Sequence, residues 1–277
     1  MAGREGPPPG QATIGGDTRL LVIVGDPIGQ VKSPAILNPR LHAAALDAVL
    51  VPVHAPADRF DAVMAGLKAI ANLDGIVVTV PFKMRASPCA DRVLATGEAA
   101  GAVNALRREP DGSWTADMFD GTGLVAGLGE RGIAAAGRRV MLLGAGGAGS
   151  AVAAAFAAAG AAAVTIHDID ASKAQDLAGR IARIFPRCTV AAGPPALPSH
   201  DILVNATPIG MREEDPLPVG LDDLSPDTLV VDVIMRPDVT RLMEVARDRG
   251  SRVLGGRVML DGQASALLRF FRIEGDR

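Results

Sequence analysis

The chain has 277 residues, more than one hydrophobic core usually accommodates, so one large or two modest domains are expected. Hydrophobic residues make up 48% and charged residues 21%, the balance of an ordinary globular protein. A net charge of −3, with 3% aromatic residues and no tyrosine, argues against nucleic acid or an anionic membrane as partner.

Residues 1–19, MAGREGPPPGQATIGGDTR, are rich in Pro and Gly without an apolar stretch, and read as a flexible tail rather than a signal peptide. Short apolar runs then alternate with helical patterns, the signature of parallel α/β architecture. Strands are expected at LLVIVG, AVLVPVHA and GIVVTVP, separated by helices in SPAILNPRLHAAALD and ADRFDAVMAGLKAIANL. In the second helix Phe60, Val63, Met64, Leu67 and Ile70 recur at helical spacing. AVNALRRE and GSWTADMF bracket the turn signal Pro110-Asp111-Gly112. A boundary is expected between Asp120 and Arg139, where GTGLVAGLGERGIAAAGR reads as a connecting helix. The second half restarts with RRVMLLGAGGAGSAVAAAFAAAG and continues with strands at AAVTIHD, DILVNAT, TLVVDVIM and SRVLGG. The alanine-rich segment is broken by glycines and reads as a buried helix, not a membrane span. A last helix, VMLDGQASALLRFF, fits either half. Cys89 and Cys188 lack metal or redox spacing and read as buried free thiols, consistent with a cytoplasmic setting.

The strongest single motif is G-x-G-x-x-G at Gly144, Gly146 and Gly149, directly after an apolar strand and before an apolar helix. In that context Gly144 makes a tight turn, Gly146 lets a pyrophosphate approach, and Gly149 permits close helix–strand packing. Gly147 lies in the same turn, at the helix start whose free N–H groups suit phosphate. Asp168 falls 24 positions after Gly144, near the spacing of a ribose-binding acid. A carboxylate there accepts a hydrogen bond from a free 2′-hydroxyl and repels a 2′-phosphate, which favours NAD and leaves NADP possible, with Lys173 close enough to attract a phosphate. Asp170 reads as the cap of the following helix.

Several segments, GDPIGQVKSP, VVTVPFK, GAVNAL, DMFDGTG, LLGAGGAGSA, VNATPIGM and GGRVMLDGQ, occur in the order found in shikimate and quinate dehydrogenases. The chain resembles that family from about Val22 to Phe271. The resemblance implies an α/β fold with an N-terminal substrate-binding α/β domain, a C-terminal Rossmann-like dinucleotide-binding domain and a cleft between them. On that basis residues 20–120 form the substrate domain, residues 121–256 the dinucleotide domain, and the helix within 257–277 returns to the first. The implied reaction moves a hydride between NAD(P)H and a ring ketone or hydroxyl of a shikimate- or quinate-like cyclic polyol, in a monomer or homodimer.

Residue by residue, the resemblance makes Lys83 the catalytic lysine and Asp120 its partner. A secondary alcohol must lose a proton as its hydride leaves, and a lysine beside a carboxylate suits the proton donor of the reverse step or an orienting network. Thr79, Asn104 and Gln263 match substrate-hydroxyl contacts, and Asn205, Ala206, Thr207 and Pro208 match the segment lining the nicotinamide pocket. Gly256 matches a backbone approach to nicotinamide or a plain turn. Ser33 matches one serine of an S-K-S carboxylate clamp, or serves as a helix cap, and Gln30 and Lys32 are the candidates to compensate for a lost clamp donor.

Three departures concern the substrate. The first clamp serine is Val31, the pair before Asp120 is Met118 and Phe119 instead of asparagine and threonine, and a usual tyrosine is Met235. A hydrogen bond to a charged group contributes about 1.5–3 kcal/mol, so losing two weakens carboxylate binding by about two to four powers of ten unless replaced. The expectation is retained alcohol/ketone chemistry with a best substrate that need not be shikimate itself. A folate-linked dehydrogenase and a non-catalytic dinucleotide-binding protein of the same fold are the competing readings; the joint presence of Lys83 and Asp120 speaks against the latter. The four histidines show no metal-ligand spacing.

Overall fold

The computed structural model describes residues 14–29 and 31–272. The expected alternation resolves into two six-stranded sheets. The first contains β1 (Arg19–Gly25), β2 (Ala48–His54), β3 (Leu73–Val78), β4 (Arg92–Val93), β5 (Ala105–Arg108) and β6 (Trp114–Asp117), in the order β2-β1-β3-β5-β6-β4. Its helices are α1 (Ser33–Ala43), α2 (Phe60–Lys68), α3 (Lys83–Ala86) and α4 (Ala95–Ala100). The sheet is mixed: β5 runs antiparallel to both β3 and β6. The β5–β6 hairpin is closed by the Asp111 side chain, which accepts the Ser113 N–H at 3.0 Å, beside Gly112 at φ +85°.

Both faces of this sheet are covered, which is why β1 is an unbroken apolar run. Val22 and Val24 point to one side, with Phe60, Met64 and Phe82. Leu21 and Ile23 point to the other, with Leu37 and Leu41 of α1. The predicted face of α2 is buried at Phe60, Met64 and Leu67, whereas Ile70 lies beyond the helix end and is exposed.

The connecting helix α5 (Phe119–Gly129) begins earlier than the sequence pattern indicates, so Asp120 sits in its first turn. The second sheet comprises β7 (Arg139–Leu143), β8 (Ala163–His167), β9 (Thr189–Ala192), β10 (Ile202–Asn205), β11 (Leu229–Asp232) and β12 (Val253–Leu254), with helices α6 (Gly147–Ala158), α7 (Ala171–Ile184) and α8 (Arg241–Asp248). Its order is β9-β8-β7-β10-β11-β12, all parallel. Strand order reverses between β7 and β10, the switch point at which such sheets bind dinucleotides. The alanine-rich segment forms α6 and is buried along nearly its whole length.

The last helix, α9 (Arg257–Phe270), settles against the first sheet, where Leu267, Leu268 and Phe270 share a core with Leu21 and Leu50. It crosses α5 at backbone contact. A Cβ on Gly262 would lie 2.1 Å from the Gly123 carbonyl oxygen, and one on Gly127 would lie 2.3 Å from that of Val258. Those glycines let two helices approach closer than any side chain permits. Cys188 is buried and Cys89 half-buried, and both are free thiols. No helix among the described residues is long and apolar enough to cross a membrane.

Candidate active site

A cavity of about 620 Å³ opens where residues of both sheets meet. From the first half it is lined by Lys32, Ser33, Thr79, Lys83, Asn104 and Asp120, and from α9 by Gln263. The second half contributes Met211, Met235 and Arg236. Gln30 lies outside the described residues.

Asp120 is the hub. Lys83 Nζ donates to its Oδ2 at 2.5 Å, while Asn104 Nδ2 and Gln263 Nε2 donate to its Oδ1 at 2.7 and 2.6 Å. The Asn104 side-chain oxygen, Oδ1, in turn accepts the Phe119 N–H at 2.8 Å. Lys83 is held at the start of α3, whose first carbonyl accepts the Val103 N–H at 2.9 Å. The pair is no surface ion pair, with side chains only 27% and 11% exposed. Three side chains from separate parts of the chain thus converge on one carboxylate, and charge-assisted bonds of this kind are the strong ones. Asn104 and Gln263, expected as substrate contacts, hold the carboxylate as well as facing the cavity.

Ser33 does not cap α1: the N-cap is Lys32, and no side chain caps that helix. Its hydroxyl stays uncommitted at the cavity wall among the described residues. The four substituted positions separate. Val31 and Met235 line the cavity, whereas Met118 and Phe119 are turned away into the two cores. The expectation that Met118 and Phe119 alter the substrate surface is therefore corrected: their side chains pack inward because they lie where β6 passes into α5 between the sheets. Arg236 escaped the sequence reading. Its signal was a cation just past the end of a buried parallel strand, where open α/β sheets place ligands.

A second cavity, about 240 Å³, is lined by Gly144, Gly146, Asp168, Ala206, Thr207 and Pro208. Gly144 has φ +96°, and a Cβ on Gly149 would lie 1.9 Å from the Gly144 carbonyl oxygen, so both are demanded by the turn itself. Gly146 and Gly147 are different: a Cβ on either meets nothing within 4 Å. Their absent side chains leave a cradle at the start of α6, the shape a pyrophosphate needs. Asp168 braces this loop, accepting the Ala145 N–H at 2.7 Å and the Asp170 N–H at 2.9 Å. Asp170 caps α7 as expected, and Lys173 turns to Asp170 at 3.7 Å. A third cavity of about 270 Å³ shares His167 and Asp168 with the second.

Asn205 and Thr207 build the loop after β10. The Asn205 carbonyl accepts from Thr207 N and Oγ1 at 3.1 and 2.7 Å, and its amide donates to the Ile209 carbonyl and to Asp232. Burial pushes the Asp232 carboxyl above the ordinary range, against hydrogen bonds from Thr240, Ile234 and Asn205 that favour its charge. Gly256 meets the backbone of Val233 and Ile234, with a Cβ falling 2.5 Å from the Val233 oxygen. Its glycine is thus explained by packing between α9 and the end of β11.

A glycine cradle at the switch point of a parallel sheet, beside a Lys–Asp pair in a crevice, defines a two-part dinucleotide-dependent oxidoreductase. Comparison with known proteins narrows this. The family profile described as shikimate dehydrogenase substrate binding domain matches residues 23–106, and that described as shikimate / quinate 5-dehydrogenase matches residues 128–212. A relative named shikimate dehydrogenase (NADP(+)) from Rubrobacter xylanophilus is 35% identical over 254 residues, covering 89% of this chain and 88% of the relative. The structure of shikimate 5-dehydrogenase from Listeria monocytogenes in complex with shikimate and NAD superposes with TM-score 0.85 at 28% identity, covering 94% of this chain and 92% of that one. The ligand-free 5-ketofructose reductase of Gluconobacter sp. strain CHM43 gives TM-score 0.83 at 31% identity, covering 93% and 94%. The chain belongs to the shikimate/quinate dehydrogenase family and is an NAD(P)-dependent oxidoreductase of that type.

Proposed function

We propose that this enzyme interconverts a ring hydroxyl and ring ketone on a shikimate- or quinate-like cyclic polyol, with Lys83 and Asp120 as the proton-handling pair. The observation that carries the proposal is the Asp120 hub: a carboxylate bound by Lys83, Asn104 and Gln263 on the wall of a 620 Å³ cavity. In the reduction direction Lys83 Nζ donates the proton that the carbonyl oxygen gains, and in oxidation the same nitrogen takes it back. Asp120 holds Lys83 in place and balances its charge, and Asn104 and Gln263 hold Asp120. Thr79 and Ser33 supply hydroxyls toward the polar edge of the substrate. The dinucleotide, when bound, supplies or accepts the hydride; Gly146, Gly147 and the loop from Asn205 to Pro208 are the groups that would hold it.

NAD is the proposed cofactor of choice, although the relatives named above include an NADP(+) enzyme. The two cavities flanking Asp168 contain no Lys or Arg in their lining, so a 2′-phosphate would meet the Asp168 carboxylate without a compensating cation. The parts of the chain divide accordingly, residues 20–120 with the helix returning within 257–277 on the substrate side and 121–256 on the dinucleotide side, in a cytoplasmic setting that keeps Cys89 and Cys188 reduced.

Steady-state kinetics with shikimate and quinate, each with NAD and NADP in parallel, test the proposal. Turnover of at least one ring acid, with kcat/KM higher for NAD, is expected. Dinucleotide binding without turnover of any cyclic polyol would instead favour a binding protein.

A further inference from the structure

Lys32 and Arg236 line the same cavity as Lys83 and Asp120, one from each half of the molecule. Asp120 is the only acid in that lining, and Lys83 already matches its charge. Neither Lys32 nor Arg236 forms an ion pair or side-chain hydrogen bond among the described residues, and Asp238, two positions beyond Arg236, forms none with it. The cavity mouth therefore carries two uncompensated positive charges.

Solvated surface cations are common, and exposure alone decides nothing. The mounting of Arg236 separates it from an idle surface residue. It lies between Ile234 and Thr240, and both are tied to one buried carboxylate: Asp232 Oδ1 accepts the Ile234 N–H at 3.1 Å, and Oδ2 accepts the Thr240 hydroxyl at 2.7 Å. The close approach of Gly256 to the Val233 and Ile234 carbonyls braces the same segment from α9. Next to Arg236 stands Met235, and next to Lys32 stands Val31, both in the wall of the same cavity.

We infer that Lys32 and Arg236, one from each half of the molecule, together grip the anionic substituent of the substrate, a ring carboxylate. This rests on the cyclic-acid reading of the preceding subsection. A guanidinium offers a carboxylate two parallel N–H donors, which a hydroxyl cannot. The uncommitted Ser33 hydroxyl adds a neutral donor from the first half.

The test compares shikimate with its methyl ester, which keeps the ring and removes the charge, in the wild type and in Arg236→Ala, Arg236→Lys and Lys32→Ala. The wild type is expected to favour the acid. Arg236→Ala should raise KM for the acid by about ten- to a hundredfold, the loss of one charge-assisted hydrogen bond, while KM for the ester stays put. Arg236→Lys should fall between, and Lys32→Ala should show a smaller rise for the acid alone. A wild type indifferent to esterification, or an Arg236→Ala effect equal on both compounds, would overturn the inference and leave the oxidoreductase reading intact. Failure of the wild type to turn over shikimate, its ester or quinate with either dinucleotide would remove that reading, and this inference with it.

Discussion

Asp117, three residues before the hub carboxylate, is buried at the end of β6 and accepts the Gly97 N–H at 2.6 Å. Burial pushes its carboxyl up to about 6, only partly offset by hydrogen bonds from Met118 and Gly97. With the folded value above the unfolded one, the folded state holds the proton more tightly, so this group's stabilising contribution is full below about pH 4 and is lost as pH rises through 6. Asp117→Asn keeps the shape and the acceptor for Gly97 while removing the charge. It should stabilise the protein by on the order of 2 kcal/mol at pH 8 and by little at pH 4. Thermal melts at the two pH values check this; an equal gain at both would refute the titration. Asp168 poses the second residue-scale question, because the same carboxylate that braces Ala145 is the proposed ribose acid. Asp168→Arg should raise the NADP-to-NAD ratio of kcat/KM, and should weaken both cofactors through loss of the loop brace. An unchanged ratio would contradict the NAD assignment.

Among the elements, the crossing of α5 with α9 positions the hub. Asp120 rides on the first turn of α5 and Gln263 on α9, and their 2.6 Å hydrogen bond depends on the glycine faces between them. Gly262→Ala forces a Cβ against the Gly123 carbonyl, and overpacking of this kind costs about 1–3 kcal/mol. Both the melting temperature and kcat/KM should drop. Gly129→Ala, at the open end of α5 where a Cβ meets nothing within 4 Å, should leave kcat/KM unchanged and hold or raise stability. Equal behaviour of the two variants would mean that the crossing does not set the site. The α5 glycines were visible in DGTGLVAGLG, yet nothing in the spacing says which helix they admit. Likewise the sequence pattern left the owner of α9 undecided, because packing against Leu21 and Leu50 of the first sheet is a tertiary fact.

For the molecule as a whole, the alternating pattern and the cofactor turn were legible, since each depends on local residue order, whereas the Lys–Asp pair, 37 positions apart in the chain, came only from the family resemblance. The mixed first sheet was not, because AVNALRRE carries no mark of its strand direction. The side-chain directions of Met118 and Phe119 were hidden for the same reason: position in a motif does not reveal which way a residue faces at a strand–helix junction. Arg236 was within reach of the sequence, one residue beyond Met235, but its sharing of a cavity with Lys32 required both halves of the fold.

The central claim is that Lys83 and Asp120, held at 2.5 Å in the crevice, move the proton while separate groups hold the dinucleotide. The most direct measurement sets turnover of the ring substrate by Lys83→Met and Asp120→Asn beside the Kd of each variant for NAD. Turnover should fall by about two to four powers of ten, with NAD binding close to that of the unaltered enzyme. Variants that keep their turnover, or lose NAD binding in step with it, would contradict the account.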